Sequence, residues 1–146
     1  MARNLLNNHE VIGALIKILV VDDDKLIRWS LKEIFLQEGY EADTAATAKD
    51  ALRHVEDNSY NLIFTDLETN DENSIEMLKK VKESQPEAKI VVLSALTKNQ
   101  IELQLGELSI FSIIEKPFRS EQIKSVAKKA LDPENNEQKI KKNVQE

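Results

Sequence analysis

Acidic residues directly follow two of the most apolar runs in this 146-residue sequence. Asp22 and Asp23 follow residues 17–21. Asp66 follows residues 61–65. Carboxylates held within a few ångströms of one another repel and raise one another's pKa, a conflict that a divalent cation removes. Mg²⁺ prefers hard oxygen ligands, and an ionised aspartate beside it can attack phosphorus and form an acyl phosphate.

Two further polar residues follow apolar runs later in the chain. Ser94 comes after residues 89–93, and Lys116 comes shortly after residues 110–114. A hydroxyl and an ammonium are poor ligands for Mg²⁺, but both can hydrogen-bond the oxygens of a phosphoryl group. The polar residues together predict a site that takes up a phosphoryl group on Asp66.

The elements that must position these residues form a regular alternation. Short apolar runs predict strands at residues 17–21, 41–44, 61–65, 89–93 and 110–114. Amphipathic segments predict helices at residues 26–38, 47–57, 74–84, 97–105 and 120–131. Five such units predict an α/β fold, a parallel sheet with helices on both faces. Because ligands collect at the carboxyl ends of parallel strands, we expect the five polar residues to converge on one rim.

The chain has the length of one ordinary domain with a sizeable core of its own. We predict an N-terminal extension at residues 1–16, a folded domain at residues 17–131, and a polar tail or linker at residues 132–146. No internal repeat is visible, so one folded unit carries all the polar residues of the predicted site.

Composition narrows the classes of function. The net charge of −6, from 26 acidic against 20 basic residues, gives no basic surface typical of nucleic-acid binding or of membrane attachment. Cysteine is absent, which excludes a disulfide framework and a thiolate metal site. The apolar stretch at residues 11–21 is too short to span a bilayer and lacks the cleavage site of a signal peptide. We therefore expect a cytoplasmic protein with no membrane contact and no direct nucleic-acid binding.

Four stretches, ILVVDDD, LIFTDL, VVLSA and EKPF, stand in the order and spacing found in the receiver domains of two-component response regulators. The chain resembles that family from residue 17 to residue 131. The resemblance implies a flavodoxin-like (βα)5 three-layer sandwich whose strand order is 2-1-3-4-5. It also implies a signalling domain that catalyses only its own phosphorylation and dephosphorylation.

The resemblance assigns roles to the acidic residues. Asp66 is then the phosphoacceptor and a metal ligand. Asp22 and Asp23 form the metal pair, with Asp23 favoured as the direct ligand. Glu68 supplies a backbone carbonyl to the metal, which in this family is Mg²⁺.

The resemblance also implies how the signal is received and passed on. Ser94 moves to meet the phosphoryl group, Lys116 pairs with it, and the peptide bond to Pro117 is expected to be cis. The implied partner is a sensor histidine kinase or a phosphotransfer protein. The fourth helix, fifth strand and fifth helix form the switching surface, and they allow a homodimer. EKPF is similar to receivers attached to sigma-54-dependent activators and to stand-alone receivers, so an output domain after residue 146 is left open.

The sequence departs from the family pattern at three places, one of them Ser109-Ile110, where the family usually has Gly-Ala before the fifth strand. Residues 69–74 lack the proline and the glycine that usually follow the phosphoacceptor. Ile113 occupies the position of a Tyr or Phe that rotates on activation. We therefore expect phosphorylation to be retained, with a readout that does not depend on rotation of the side chain at position 113.

Two other functions compete for the same residues. A haloacid-dehalogenase-type Mg²⁺-dependent phosphatase also uses a strand-end aspartate, and DLET at Asp66 comes close to its motif. That family places its nucleophile on the first strand and its acidic pair after the lysine, which is the reverse of the order here. A receiver-like interaction module that does not depend on phosphorylation is favoured only by the atypical loop. Taken singly, each polar residue could be a helix cap or a turn residue. The prediction therefore depends on their occurring together, each at the end of a strand and in the order of the family.

Overall fold

The computed structural model describes residues 16–67 and 74–132, and within these ranges five strands alternate with five helices. The strands are β1 (Lys17–Val21), β2 (Glu41–Ala45), β3 (Leu62–Asp66), β4 (Lys89–Ser94) and β5 (Ser112–Glu115). The helices are α1 (Lys25–Gln37), α2 (Ala48–Asp57), α3 (Ser74–Ser84), α4 (Lys98–Leu105) and α5 (Ser120–Leu131). The predicted alternation is confirmed, and apart from β5 every predicted boundary lies within one residue of the observed one.

The described strands form one parallel sheet in the order β2-β1-β3-β4-β5. This is the order that the resemblance implies, and the expected flavodoxin-like fold is confirmed. β3 lies at the centre, between β1 and β4. Because parallel strands end at the same edge of a sheet, the residues at the ends of β1, β3, β4 and β5 are brought to one rim.

Helices cover both faces of the sheet and complete three layers. Along β1, Ile18 and Val20 pack into one face and Leu19 and Val21 into the other, because successive side chains of a strand alternate. The face of the sheet that carries Ile18 packs against α1 and α5. The face that carries Leu19 packs against α2, α3 and α4. Full burial of such a side chain stabilises the fold by about 1.5–3 kcal/mol relative to exposure. The two cores therefore hold the strand ends, and the rim, in fixed positions.

Helix α1 begins immediately after the acidic run. Asp24 is its N-cap, and the carboxylate accepts hydrogen bonds from the backbone N–H groups of Leu26 at 2.8 Å and Ile27 at 3.4 Å. Gly39, with a φ of +88°, follows the end of the helix. A positive φ favours glycine, which is why the chain can turn there. The last of the three consecutive aspartates thus caps a helix and leaves the first two for the rim.

The last strand is shorter than predicted. The sequence predicted a strand at residues 110–114, whereas β5 spans Ser112–Glu115. Ile110 packs against the core under α2, α3 and α4, and Phe111 packs against the core under α1 and α5. Both side chains are apolar because they fill the cores from the segment before the strand. An apolar run alone therefore placed the start of β5 two residues too early.

The predicted limits of the folded domain lie close to the limits of the described residues. Residues 1–15 and 133–146 lie outside the described ranges, so the division into extension, domain and tail stays a prediction. No helix within the described ranges has the length and apolar character needed to cross a membrane.

Gln85, just past α3, joins three elements at the edge opposite the rim. Its amide nitrogen donates to the carbonyl oxygens of Val55 at 3.0 Å and Asn58 at 2.8 Å. Its amide oxygen accepts a hydrogen bond from the backbone N–H of Tyr60 at 2.8 Å. One side chain therefore holds the connection between α2 and β3 against the end of α3.

Gln85→Ala should lower the free energy of unfolding by about 1–3 kcal/mol, because three backbone groups lose their hydrogen-bond partner. Urea unfolding followed by circular dichroism measures the change. Glu83→Ala, at an exposed position of α3, is the control and should change stability by less than about 0.5 kcal/mol. Equal unfolding midpoints for the two variants would contradict this role of Gln85.

Candidate functional site

The carboxylates predicted at the rim come together in the structure. Asp22, Asp23 and Asp66 each offer an oxygen, and these oxygens all lie within 4.8 Å of one another. Asp66 ends β3 and the other two follow β1, which is its neighbour in the sheet, so the topology brings them together. Asp22 and Asp66 are 0% and 3% exposed, whereas Asp23 is open to solvent. Among these three carboxylates, the cluster is therefore open to solvent at Asp23.

Lys116 is the cation that the fold delivers to this cluster. Its Nζ lies 3.0 Å from Oδ2 of Asp22 and 3.2 Å from Oδ2 of Asp66. The side chain is 16% exposed. Burial by itself lowers the pKa of Lys116, but the hydrogen bonds and negative charges of Asp22 and Asp66 outweigh burial and raise the pKa above its usual value. Lys116 therefore stays protonated and bridges the two buried carboxylates.

Ser94 lies at the same edge, at the end of β4, and is fully buried. Its hydroxyl oxygen accepts a hydrogen bond from the backbone N–H of Leu96 at 2.9 Å. Its carbonyl oxygen accepts a hydrogen bond from the backbone N–H of Lys116 at 2.7 Å. The backbones of Lys116 and Ser94 are thus joined by a hydrogen bond.

Two further expectations for the site concern the peptide bond before Pro117 and the backbone carbonyl of Glu68. The peptide bond between Lys116 and Pro117 is cis, as the resemblance implies. Glu68 lies outside the described residues, as do residues 69–73 of the atypical loop. The backbone ligand expected from Glu68 therefore stays a prediction.

Arg28 also lies beside this rim, although no motif in the sequence marks it. Its Nη1 donates to the carbonyl oxygen of Asp22 at 2.8 Å. A basic residue in the second turn of an amphipathic helix is ordinarily a solvated surface residue. Its position six residues after Asp22 becomes informative only once the helix is known to begin directly behind β1.

The donor set fits a hard divalent cation. Three carboxylates face one another across at most 4.8 Å, and Lys116 supplies one positive charge within reach of two of them. When all four groups are ionised, two negative charges stay unbalanced. A small dication with oxygen ligands, such as Mg²⁺, balances that excess and accepts these donors.

The chain is similar in sequence and structure to proteins of known type. A family model described as a response regulator receiver domain matches residues 18–128. Over 115 residues the chain is 33% identical to the DNA-binding transcriptional regulator NtrC of Azospirillum brasilense, covering 79% of this chain and 24% of that protein. Over 120 residues it is 31% identical to the sporulation initiation phosphotransferase F of Bacillus subtilis, covering 82% of this chain and 97% of that protein.

A solved structure of similar type extends the match to three dimensions. A CheY-like response regulator receiver domain protein from Methanospirillum hungatei superposes with a TM-score of 0.73 at 30% identity, covering 86% of this chain and 99% of that one. The chain spans about a quarter of the length of the NtrC relatives that it matches. It spans nearly the whole length of phosphotransferase F.

Mg²⁺ should stabilise the protein through the carboxylate cluster. At a concentration a hundred times its dissociation constant, Mg²⁺ should raise the free energy of unfolding by about 2.7 kcal/mol. Asp23→Asn should remove most of this gain, because it takes away the exposed oxygen ligand. Urea unfolding with and without Mg²⁺ measures the difference.

Asp24→Asn is the matched control for this experiment. It removes one negative charge at the neighbouring position, and asparagine still caps α1. This variant should keep the gain from Mg²⁺. An undiminished gain in Asp23→Asn would contradict the metal site.

Proposed function

The chain belongs to the family of response regulator receiver domains, and on this premise we propose that Asp66 accepts a phosphoryl group from the phosphohistidine of a sensor histidine kinase or a phosphotransfer protein. The observation that carries the proposal is the contact of Lys116 with both Asp22 and Asp66 beside an acidic cluster at the strand ends. A receiver is a signalling domain and not an enzyme that turns over a separate substrate. The catalysis proposed here is confined to the gain and loss of its own phosphoryl group.

The proposed reaction is a transfer to a carboxylate oxygen. An oxygen of Asp66 forms a bond to phosphorus while the phosphorus–nitrogen bond of the donor's phosphohistidine breaks. The electron pair leaves with the imidazole nitrogen, which then takes up a proton. To end the signal, a water molecule bonds to phosphorus and releases a proton to solvent. The bond between phosphorus and the Asp66 oxygen breaks, its electron pair stays on the carboxylate, and inorganic phosphate leaves.

The residues around Asp66 have distinct parts in this proposal. Asp22, Asp23 and Asp66, with the backbone carbonyl of Glu68, would hold Mg²⁺. When bound, Mg²⁺ neutralises the excess negative charge and binds oxygens of the incoming phosphoryl group. Lys116 already lies against Asp66, so it can move one hydrogen bond from a carboxylate to a phosphoryl oxygen without leaving the site.

Ser94 links the chemistry to the surface. Its hydroxyl oxygen accepts a hydrogen bond from the backbone N–H of Leu96, so a movement of the hydroxyl toward a phosphoryl oxygen pulls on the turn that contains Leu96. Leu96 packs against the same core as Ile101 and Ile113, which lie on α4 and β5. A shift of this turn can therefore bias the surface of α4, β5 and α5 by a coupling free energy of about 1–3 kcal/mol. Because position 113 is an isoleucine, the proposed shift passes through aliphatic packing and not through rotation of an aromatic ring.

The partners of the whole protein belong to the same proposal. We propose that a kinase or phosphotransfer protein donates the phosphoryl group in the cytoplasm, and that the surface of α4, β5 and α5 then acts on a partner, an attached output domain or a second copy of the chain. The similarity to NtrC supports an output domain, and the similarity to phosphotransferase F supports a receiver that acts by itself. The alternative of a haloacid-dehalogenase-type phosphatase is not favoured, because the matching family is a different one and the motif order is reversed.

Asp66→Asn should abolish phosphoryl uptake from acetyl phosphate in the presence of Mg²⁺, because an amide oxygen is a far weaker nucleophile than a carboxylate. Intact-protein mass spectrometry measures uptake as the mass of one phosphoryl group. Asp57→Asn, at an exposed position on α2, is the control and should retain full uptake. Uptake by Asp66→Asn at the rate of the unsubstituted protein would refute the assignment.

Lys116→Ala should retain part of the phosphoryl uptake but lose most of the conformational response, because the phosphoryl group loses its link to β5. Amide hydrogen exchange in α4, β5 and α5, with and without acetyl phosphate, measures that response. Lys128→Ala, at an exposed position on α5, should respond like the unsubstituted protein. A full response in Lys116→Ala would remove this lysine from the switch.

A further inference from the structure

Asp22 and Asp23 are consecutive residues whose side chains must serve the same cluster. In an extended strand, successive side chains point to opposite faces of the sheet. Here the two carboxylates both approach Asp66, with all three oxygens within 4.8 Å. The chain has therefore left regular strand geometry between Asp22 and Asp23. The orientation of the peptide unit that joins these two residues decides whether both carboxylates face one ion.

Arg28 holds that peptide unit. Its Nη1 donates a 2.8 Å hydrogen bond to the carbonyl oxygen of Asp22, which is the oxygen of the peptide between Asp22 and Asp23. Arg28 lies in the second turn of α1, and its own backbone N–H bonds to the carbonyl oxygen of Asp24 at 3.1 Å. The guanidinium thus reaches back over the helix start, and within residues 16–67 and 74–132 this carbonyl is its hydrogen-bond partner.

The other polar groups of Asp22 are also engaged. Its backbone N–H donates to the carbonyl oxygen of Ala45 at 3.1 Å, which ties it to β2. One carboxylate oxygen accepts from the backbone N–H of Asp24 at 2.9 Å, and the other accepts from Lys116 at 3.0 Å. Arg28 secures the remaining polar group, the carbonyl. Replacing Arg28 removes the hydrogen bond to this carbonyl and directly removes none of the other hydrogen bonds of Asp22.

A second arginine beside the same groove behaves differently. Arg28 and Arg53 both line a shallow groove of about 450 Å³ between α1 and α2. Arg53 is 67% exposed and pairs with Asp50 at 3.6 Å within α2. The two residues carry the same charge in the same region, but only Arg28 contacts the backbone at the metal site.

We propose that Arg28 is a positioning residue of the metal site: through the carbonyl of Asp22 it sets the orientation of the Asp22–Asp23 peptide, and so the joint approach of the two carboxylates to a divalent cation. This inference rests on the Mg²⁺ site of the proposed function. It adds a residue that contacts neither the ion nor the phosphoryl group.

The direction in which Mg²⁺ affinity changes when Arg28 is replaced distinguishes a positioning role from a purely electrostatic one. A cation close to the site repels Mg²⁺, so replacing Arg28 by a neutral residue should tighten Mg²⁺ binding if charge alone matters. Positioning makes the opposite prediction. Residues that orient metal ligands without touching the metal commonly change metal affinity about tenfold or more when they are replaced.

The experiment is isothermal titration of Mg²⁺ into the unphosphorylated full chain. Arg28→Met keeps the apolar stem and removes the donor, and it should weaken Mg²⁺ binding roughly tenfold. Arg28→Lys keeps a charged donor and should restore most of the affinity. Arg53→Met, which removes the same charge from the other side of the groove, should bind like the unsubstituted protein.

Each outcome decides the proposal. Unchanged or tighter binding by Arg28→Met would overturn it, as would an equal loss in Arg53→Met. Circular dichroism and urea unfolding without Mg²⁺ establish that the variants are folded; should Arg28→Met not fold, Arg28→Gln is used and the same sign applies. If the unsubstituted protein shows no Mg²⁺ binding, the metal site itself is refuted, which is distinct from an intact site that does not depend on Arg28.

Discussion

Repulsion among three carboxylates at one edge of the sheet is the constraint on which the site depends. Two of them are buried, where unbalanced charge is most costly, and within residues 16–67 and 74–132 the ammonium of Lys116, which follows β5, forms ion pairs with both. This ion pairing does not neutralise the cluster, because one ammonium cannot balance three carboxylates. The remaining excess is what makes the cluster suited to a dication and to the phosphoryl group that a dication can hold.

The parallel sheet brings the polar residues of the site together at the ends of four of its strands. Asp66 and the Asp22–Asp23 pair come from neighbouring strands, while Ser94 and Lys116 come from the next two strands along the sheet. The backbone hydrogen bond from Lys116 to Ser94 means that these two residues are joined independently of any ligand. A change of charge at Asp66 therefore affects Ser94 and Lys116 together, and these two residues already link the ends of β4 and β5.

The two sides of the rim differ in kind. On the side of β1 and α1, Asp22 is secured through backbone and side chain, including the contact from Arg28, so this side has little freedom to move. On the side of β4 and β5, the Ser94 hydroxyl accepts a hydrogen bond from the backbone N–H of Leu96, and Leu96 packs against the same core as Ile113. A side that positions the metal ligands and a side whose aliphatic packing can pass on a rearrangement are together what a phosphorylation-dependent switch requires.

The alternation of strands and helices, with Asp66, Ser94 and Lys116 at the strand ends, was readable from the sequence, because apolar runs and the polar residues at their ends are local features. The chemistry assigned to these residues stays a prediction. The strand order came from the resemblance, since no local pattern states which strands are neighbours. The start of β5 was misplaced because Ile110 and Phe111 owe their apolar character to packing in the cores. Arg28 could not be selected at all, because its importance arises from a contact with a backbone carbonyl, and a sequence does not show where the carbonyls point. Residue types indicate which chemistry the site is suited to, and tertiary structure decided which groups hold it in place, because a backbone carbonyl accepts a hydrogen bond from whichever donor the fold brings to it.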